Sequence, residues 1–316
     1  MAKRKNIAVI GSSGFLGRHI VNTLLNCGYN VSGFSRKKVL FNDERFSWQY
    51  LDIEDNKLVL DIDWKRFDAV IHNSGLVATS NPGRFWSVNA KGTANVVWAL
   101  EEAGYSGKFV YVSSLAVYGP GEHSVGDEPK PISEYGKSKL FAEEIVSRSD
   151  LNWSIIRPPV IFGEYDAGLK GIVRIVSKGI GVKWNKPKRV SVVYAGNVAS
   201  AIVDIVEKAE KSTIFTIKDA DLTWSEFSVI VSELSGRKIK FWITLDDLIV
   251  KVFFYPAIVF GCVTSRSTFF NRDKLKELLA SSWTYRETNI ESLRYRPRYS
   301  LREALLSSIV NWYLVE

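Results

Sequence analysis

Along the first half of the chain, short apolar runs rich in β-branched residues alternate with longer segments of helical period. Strands are expected at Ile7 to Ile10, Asn30 to Ser35, Trp48 to Asp52, Ala69 to His72, Phe109 to Ser113 and Ser154 to Arg157. Helical patterns lie between them near 15 to 26, 84 to 103 and 134 to 149. Continuous apolar strands separated by amphipathic helices predict an α/β fold, a doubly wound parallel sheet covered on both faces. From about Gly163 the texture becomes glycine-rich and basic, with a further strand at Val190 to Tyr194 and helical patterns after Asp219. The division expected is a first domain over 1–166, with a return segment near 190–218, and a smaller, mostly helical substrate lobe within 167–316.

The segment VFFYPAIVFGCV, residues 252 to 263, is apolar and uncharged but only 12 residues long, and Pro256 and Gly261 interrupt it. A bilayer span needs about 20. A core or pocket-lining helix is the plainer reading. The sharper one is an interfacial patch giving peripheral membrane contact, because Arg266, Arg272, Lys274 and Lys276 follow.

Composition narrows the class. The 316 residues are 46% hydrophobic and 24% charged, as in a globular protein with a substantial core. Cys27 and Cys262 are too few for a disulfide framework and have no metal-ligand spacing, and the dispersed His19, His72 and His123 add none. No metal site and a cytoplasmic location are expected. The basic start carries an apolar run of only Ile7 to Ile10, too short for a signal peptide. The net charge of +8 is scattered over Lys3 to Lys5, Arg36 to Lys38 and Lys183 to Arg189. That spread suits an anionic small molecule better than nucleic acid.

IAVIGSSGFLGRHIVNTLL places Gly11, Gly14 and Gly17 directly after a strand and at the mouth of an amphipathic helix. Gly11 permits the tight turn, Gly14 allows backbone approach to a pyrophosphate, and Gly17 lets helix and strand pack closely. With Ser13, Phe15 and Leu16, these residues form the expected cofactor loop, its phosphates at a positive helix N-terminus. The second strand ends in Ser35, Arg36 and Lys37 with no carboxylate. An acid there would hold a free ribose hydroxyl, whereas arginine accommodates a 2′-phosphate, so NADP is favoured with NAD as the alternative.

EYGKSKLFAE, residues 134 to 143, puts Tyr135 four residues before Lys139 on one helix face. A free phenol has a pKa of about 10, and a neighbouring cation favours its ionised form. Tyr135 can then exchange a proton with a substrate oxygen while hydride passes to or from a nicotinamide.

With the glycine triplet and this pair, the chain resembles the extended short-chain dehydrogenase/reductase family, which includes sugar-nucleotide epimerases, dihydroflavonol reductases and 3β-hydroxysteroid dehydrogenases. The resemblance covers nearly the whole chain and implies a Rossmann domain. LDIED at 51 to 55 is similar to the adenine-contacting segment, implying Asp52 and Ile53, and VIHNSG at 70 to 75 to the strand end beside the cofactor, implying Asn73, Ser74 and Gly75. VNAKGTANVVWA at 88 to 99 implies a supporting role for Asn89. FVYVSSLAVYG at 109 to 119 implies a catalytic serine, and the spacing to AVYG favours Ser114 over Ser113, which is left beside the cofactor. IIRPPVIFG at 155 to 163 implies that Pro158 and Val160 close over the nicotinamide. The resemblance further implies a homodimer through helices near 84 to 103 and 134 to 149.

Three reactions of the family compete. Dehydratases carry an Asp-Glu pair after the catalytic hydroxyl residue, where this chain has Leu115 and Ala116. Epimerases hold NAD through the cycle and usually have aspartate where VYAGNVA carries Asn197. FFNRDKLKELLASSWTY and the segment that follows look like the ending of the 3β-hydroxysteroid and dihydroflavonol branch. The expectation is therefore an NAD(P)-dependent oxidoreductase acting by a Ser114, Tyr135 and Lys139 mechanism on a small, hydrophobic substrate. A sugar-nucleotide epimerase is the alternative and a non-catalytic dinucleotide-binding protein the remaining one.

Overall fold

The structure, a computed structural model, describes residues 4–252 and 272–314. Of the apolar segment 252 to 263 only Val252 falls within the described residues, and Cys262 lies outside them. The strands in chain order begin with β1 (Asn6–Ile10), β2 (Asn30–Ser35), β3 (Phe46–Tyr50), β4 (Ala69–His72), β5 (Lys108–Val112), β6 (Gly121–His123) and β7 (Asn152–Arg157). They continue with β8 (Val160–Phe162), β9 (Ile180–Trp184), β10 (Arg189–Tyr194), β11 (Thr213–Thr216), β12 (Ala220–Thr223), β13 (Phe241–Leu245) and β14 (Trp283–Tyr285).

Seven of these form one parallel sheet in the order β11-β7-β5-β4-β1-β2-β3. β1, β4 and β5 are apolar on both faces because helices cover both sides, so their sequences run continuously rather than alternating. On one side the helices Phe15–Asn26 and Ala195–Lys208 share a core through Ile20, Leu24, Val198 and Ile202. On the other, Gly92–Glu102 and Glu134–Arg148 contribute Val96, Leu100, Ala142 and Val146. The strand order reverses on either side of β1, and the carboxyl ends of β1, β4 and β5 open at that switch point, where α/β sheets bind ligands.

Most expected elements lie within two residues of their predicted bounds. The third strand is the clearest shift, Phe46–Tyr50 instead of Trp48 to Asp52, because the Asp52 carboxylate accepts the Glu54 N–H at 3.1 Å and turns the chain. The expected helix over 84 to 103 is continuous but widens into a π-helical turn at Trp86–Lys91. The part expected to be mostly helical is mixed. β10 gathers β8, β12 and β14 into a second sheet that β6 joins through β14, and β13 pairs with β9 as a separate ribbon. Strands of three or four residues, such as β12 and β14, are too short to show a period of two in sequence.

Candidate active site

The loop after β1 is built by backbone fit. Gly11 has φ +92°, a left-handed conformation that favours glycine, and a Cβ there would come within 2.8 Å of the Ser74 nitrogen. A Cβ on Gly17 would lie 2.0 Å from the Gly11 carbonyl oxygen, so the first helix can approach the loop only at a glycine. Gly14 is the N-cap of helix Phe15–Asn26 and supplies no side-chain hydrogen bond, which leaves the positive helix end without a side-chain cap. Phe15 and Leu16 open that helix, and Ser13 lends its carbonyl to Arg18 at 3.3 Å.

At the end of β2 the Ser35 hydroxyl donates to the Lys37 carbonyl at 2.7 Å and accepts from the Trp48 indole at 2.9 Å. Its side chain is thus tied into the protein, while Arg36 and Lys37 stand exposed beside it. Asp52 closes the turn described above, and Ile53 is buried against Gly92, where a Cβ would meet its side chain at 2.6 Å. Asn73 continues the line of β4 through its N–H to the Ile10 carbonyl at 2.9 Å. A Cβ on Gly75 would press on Asn89 Oδ1 at 3.3 Å and touch Lys139 Nζ at 3.5 Å, so this loop residue lies directly beside both side chains. Asn89, in the π-helical turn, is fully buried. It accepts from the Leu76 N–H at 2.7 Å and donates to the Leu76 carbonyl and the Ser138 hydroxyl, both at 3.0 Å. It therefore fixes the loop after β4 against the helix that carries Tyr135.

Helix Glu134–Arg148 starts from Ser133, whose hydroxyl accepts the Gly136 N–H at 3.0 Å. Tyr135, in its first turn, is partly exposed, and its phenol lies near the Ser114 side chain. Burial pushes this phenol up to about 12; the nearby Ser114 hydroxyl opposes that shift and the Glu277 carboxylate adds to it. Ser114 also accepts the Ala116 N–H at 3.1 Å. Ser113, one residue earlier, has a buried hydroxyl with no hydrogen-bond partner among the described residues.

Lys139 is 4% exposed, and its ammonium donates to the Val112 carbonyl at 2.7 Å and sits 4.6 Å from the Tyr111 ring centre. Burial lowers it to about 7, against the opposing pull of Glu143. The sequence reading set Lys139 against the Tyr135 phenol; among the described residues its hydrogen bond goes to the end of β5 instead. One turn further, Glu143 and Arg157 form a buried pair, with Arg157 Nε 2.9 Å from Oε1 and Nη2 2.5 Å from Oε2. Pro158 follows, its carbonyl accepting the Leu115 N–H at 2.9 Å, and Val160 begins β8 with its side chain exposed.

Residues that sequence reasoning missed complete the surroundings. Asp273 Oδ2 accepts the Tyr135 N–H at 3.2 Å, and Glu277 Oε1 accepts the Ser133 hydroxyl at 2.8 Å. Helix Arg272–Leu279 thus sets two carboxylates on the positive end of the Tyr135 helix, more than 130 residues away in sequence. No local signal announces such a contact. Asn197, which was weighed against an epimerase, holds Asp219 at 3.0 Å, the Tyr299 carbonyl at 2.9 Å and the Arg298 and Tyr299 N–H groups at 3.1 Å. An aspartate there would face Asp219, so the residue's identity follows from its structural neighbours and carries no argument about substrate.

The groups present fit a nicotinamide dinucleotide: a glycine-walled loop at an uncapped helix end, an unpartnered Ser113 hydroxyl, and a buried ammonium beside Gly75. Comparison with known proteins agrees. The model of the NAD dependent epimerase/dehydratase family matches residues 7–217. The N-acetyl-alpha-D-glucosaminyl-diphospho-ditrans,octacis-undecaprenol 4-epimerase of Escherichia coli O157:H7 is 31% identical over 217 residues, 62% of this chain and 62% of that protein. The ceramide reductase of Caulobacter vibrioides is 25% identical over 289 residues, 88% of this chain and 85% of its own. The solved structure of UDP-glucose 4-epimerase from Thermus thermophilus, in complex with NAD, superposes with a TM-score of 0.72 at 20% identity, covering 98% of this chain and 99% of that one.

Proposed function

Because the chain belongs to the NAD dependent epimerase/dehydratase family, and is thus an enzyme of the extended short-chain type, we propose that it moves hydride to or from the carbinol or carbonyl carbon of a lipid-linked substrate. The observation that carries the chemistry is the nearness of the Ser114 side chain to the Tyr135 phenol, close enough to pull the phenol's pKa down against the effect of burial. Tyr135 Oη exchanges a proton with the substrate oxygen, and Ser114 Oγ holds the same oxygen as charge develops on it. Bound in the loop, the dinucleotide supplies the hydride acceptor or donor. Gly11, Ser13, Gly14, Phe15, Leu16 and Gly17 hold its pyrophosphate, Ser35, Arg36 and Lys37 its adenosine ribose, and Asp52 and Ile53 its adenine. Asn73, Ser74, Gly75, Asn89, Ser113, Pro158 and Val160 enclose the nicotinamide side. Lys139 Nζ orients the second ribose and supplies positive charge near the phenol.

Ionising a phenol held near 12 needs that charge. The Lys139 ammonium, lowered to about 7, keeps it best in slightly acid to neutral solution. The cofactor favoured is NADP, because Arg36 and Lys37 are exposed at the strand end with no carboxylate among its last residues. Residues 1–166 hold the cofactor and 167–316 supply most of the substrate contacts. The exposed Trp86, Trp98 and Phe141, on the outer faces of the two helices beside the site, suit a homodimer contact.

The substrate class rests on the relatives. A 4-epimerase of an undecaprenol-linked sugar and a ceramide reductase catalyse different reactions, but each acts on a molecule with a lipid tail. A second reading, sugar-nucleotide epimerisation with retained NAD, is favoured by the relatives named for it and by the loss of Asn197 as an objection. Native mass spectrometry of the purified protein, followed by turnover on polyprenyl-diphosphate sugars, long-chain ketones and UDP-sugars, separates them. Exchangeable NADP with turnover on lipid-tailed compounds supports the first. Retained NAD with inversion of UDP-sugars alone would replace it by the second.

A further inference from the structure

β13 is the outer strand of the ribbon it forms with β9, and it exposes apolar side chains on both of its faces. Phe241 and Ile243, on one face, are 70% and 44% exposed. Trp242, on the other, is 41% exposed and lies flat on Gly181, where a Cβ would meet the indole at 2.7 Å. The Lys183 ammonium stands 5.8 Å from that ring. The chain then turns at Asp246, whose carboxylate accepts the Leu248 N–H at 2.9 Å, into helical residues 247–252. Val250 enters the core with Trp184 and Leu275, while Leu248, Ile249 and Val252 remain 68%, 44% and 60% exposed.

Cations surround this apolar edge. Lys183, Lys186, Arg237, Lys238, Lys240 and Lys251 are all exposed. Of the two carboxylates in 237–252, Asp247 is engaged by the buried Lys188 at 2.9 Å and Asp246 by Asn185 at 3.4 Å. A flat protein partner could cover Phe241 and Ile243 or Trp242, but not both, since alternate residues of a strand point to opposite faces. The headgroup layer of a bilayer takes up both faces of a thin edge, accommodates tryptophan, and lets lysine stems lie along the apolar surface with their charges outward. A patch of this composition on an edge strand is otherwise a liability for association.

We propose that the outer edge of the β9 and β13 ribbon, with the helical turn after Asp246, docks the enzyme on an anionic lipid bilayer. The surface stands on its own residues. Its use, bringing the site to a lipid-linked substrate, rests on the reading under Proposed function.

The test is co-sedimentation of the full chain with phosphatidylcholine vesicles and with vesicles that also contain phosphatidylglycerol, in the absence of substrate. Binding is expected only to the anionic vesicles. It should fall roughly tenfold or more in the double variant Lys238→Glu, Lys240→Glu and in Phe241→Ser, Trp242→Ser, each checked for an unchanged melting temperature. These variants retain the apolar segment at 253–263, so binding that they do not weaken would overturn the assignment to this edge. Failure of the parent chain to bind would overturn it outright, and so would concentration-dependent dimerisation that the apolar variant abolishes while vesicle binding persists. Vesicle binding without turnover of lipid-tailed compounds would leave the surface standing and remove only the substrate reading.

Discussion

The carboxyl end of the large sheet and the outer ribbon differ in how their residues are constrained. At the sheet end the polar side chains of the site are tied to named partners: Asn89 to Leu76 and Ser138, Lys139 to Val112, Arg157 to Glu143, and the Tyr135 helix to Asp273 and Glu277. On the ribbon, Phe241, Trp242 and Ile243 are 70%, 41% and 44% exposed, and only Trp242 is held from one side, by Gly181 and Lys183. The first region suits chemistry that depends on sub-ångström placement, the second contact with a soft partner. A substitution should therefore act on stability and turnover in the one and on location in the other.

The largest contrast in stability is expected at Arg157. Arg157→Met leaves Glu143 buried without its partner, which should cost about 3–5 kcal/mol in denaturant unfolding. Lys238→Ser beside the ribbon, at an exposed position, should stay within about 0.5 kcal/mol of the parent. Equal losses would erase the comparison. Next in size, Gly17→Ala pushes a methyl into the Gly11 carbonyl and displaces the loop, and dinucleotide affinity by calorimetry should fall on the order of 100-fold.

Lys139→Met sharpens the comparison through pH. The Lys139 pKa is lowered from 10.5 to about 7 by burial, so between those values the unfolded chain binds a proton that the native protein does not. Native stability from this group therefore rises with pH across that window, and the cost of burying the charge is full below it. The variant should gain stability relative to the parent at pH 6, lose that gain toward pH 10, and turn over poorly at both. A variant less stable than the parent at pH 6 would contradict a burial-dominated shift. The smallest effect is expected at Arg36. Arg36→Ala should reduce the preference for NADP over NAD by roughly tenfold, the size of one charged hydrogen bond, with little change in melting temperature.

The same contrast explains what could be read before the fold was known. β1, β4 and the first helix were legible because a glycine loop, a continuous apolar run and a 3.6-residue period agree locally. That Tyr135 and Ser114 lie near one another was legible through motif spacing. The short strands of the second sheet were not, since β14 meets β10 through a single residue pair, Trp283 with Val190. Asp273 and Glu277 were equally hidden, because their role arises from docking one helix on the start of another. The surroundings of Asn197 were hidden as well, because Asp219 and the turn at Tyr299 reach it from distant parts of the chain.

The most direct measurement compares the parent enzyme with Tyr135→Phe in single-turnover absorbance of the reduced nicotinamide, alongside a fluorescence titration of cofactor binding. With a lipid-tailed alcohol or ketone that the parent turns over, the variant should bind cofactor within about twofold of the parent and turn over about 1,000-fold more slowly. Undiminished hydride transfer in a variant that binds cofactor normally would contradict the central role of the Tyr135 phenol.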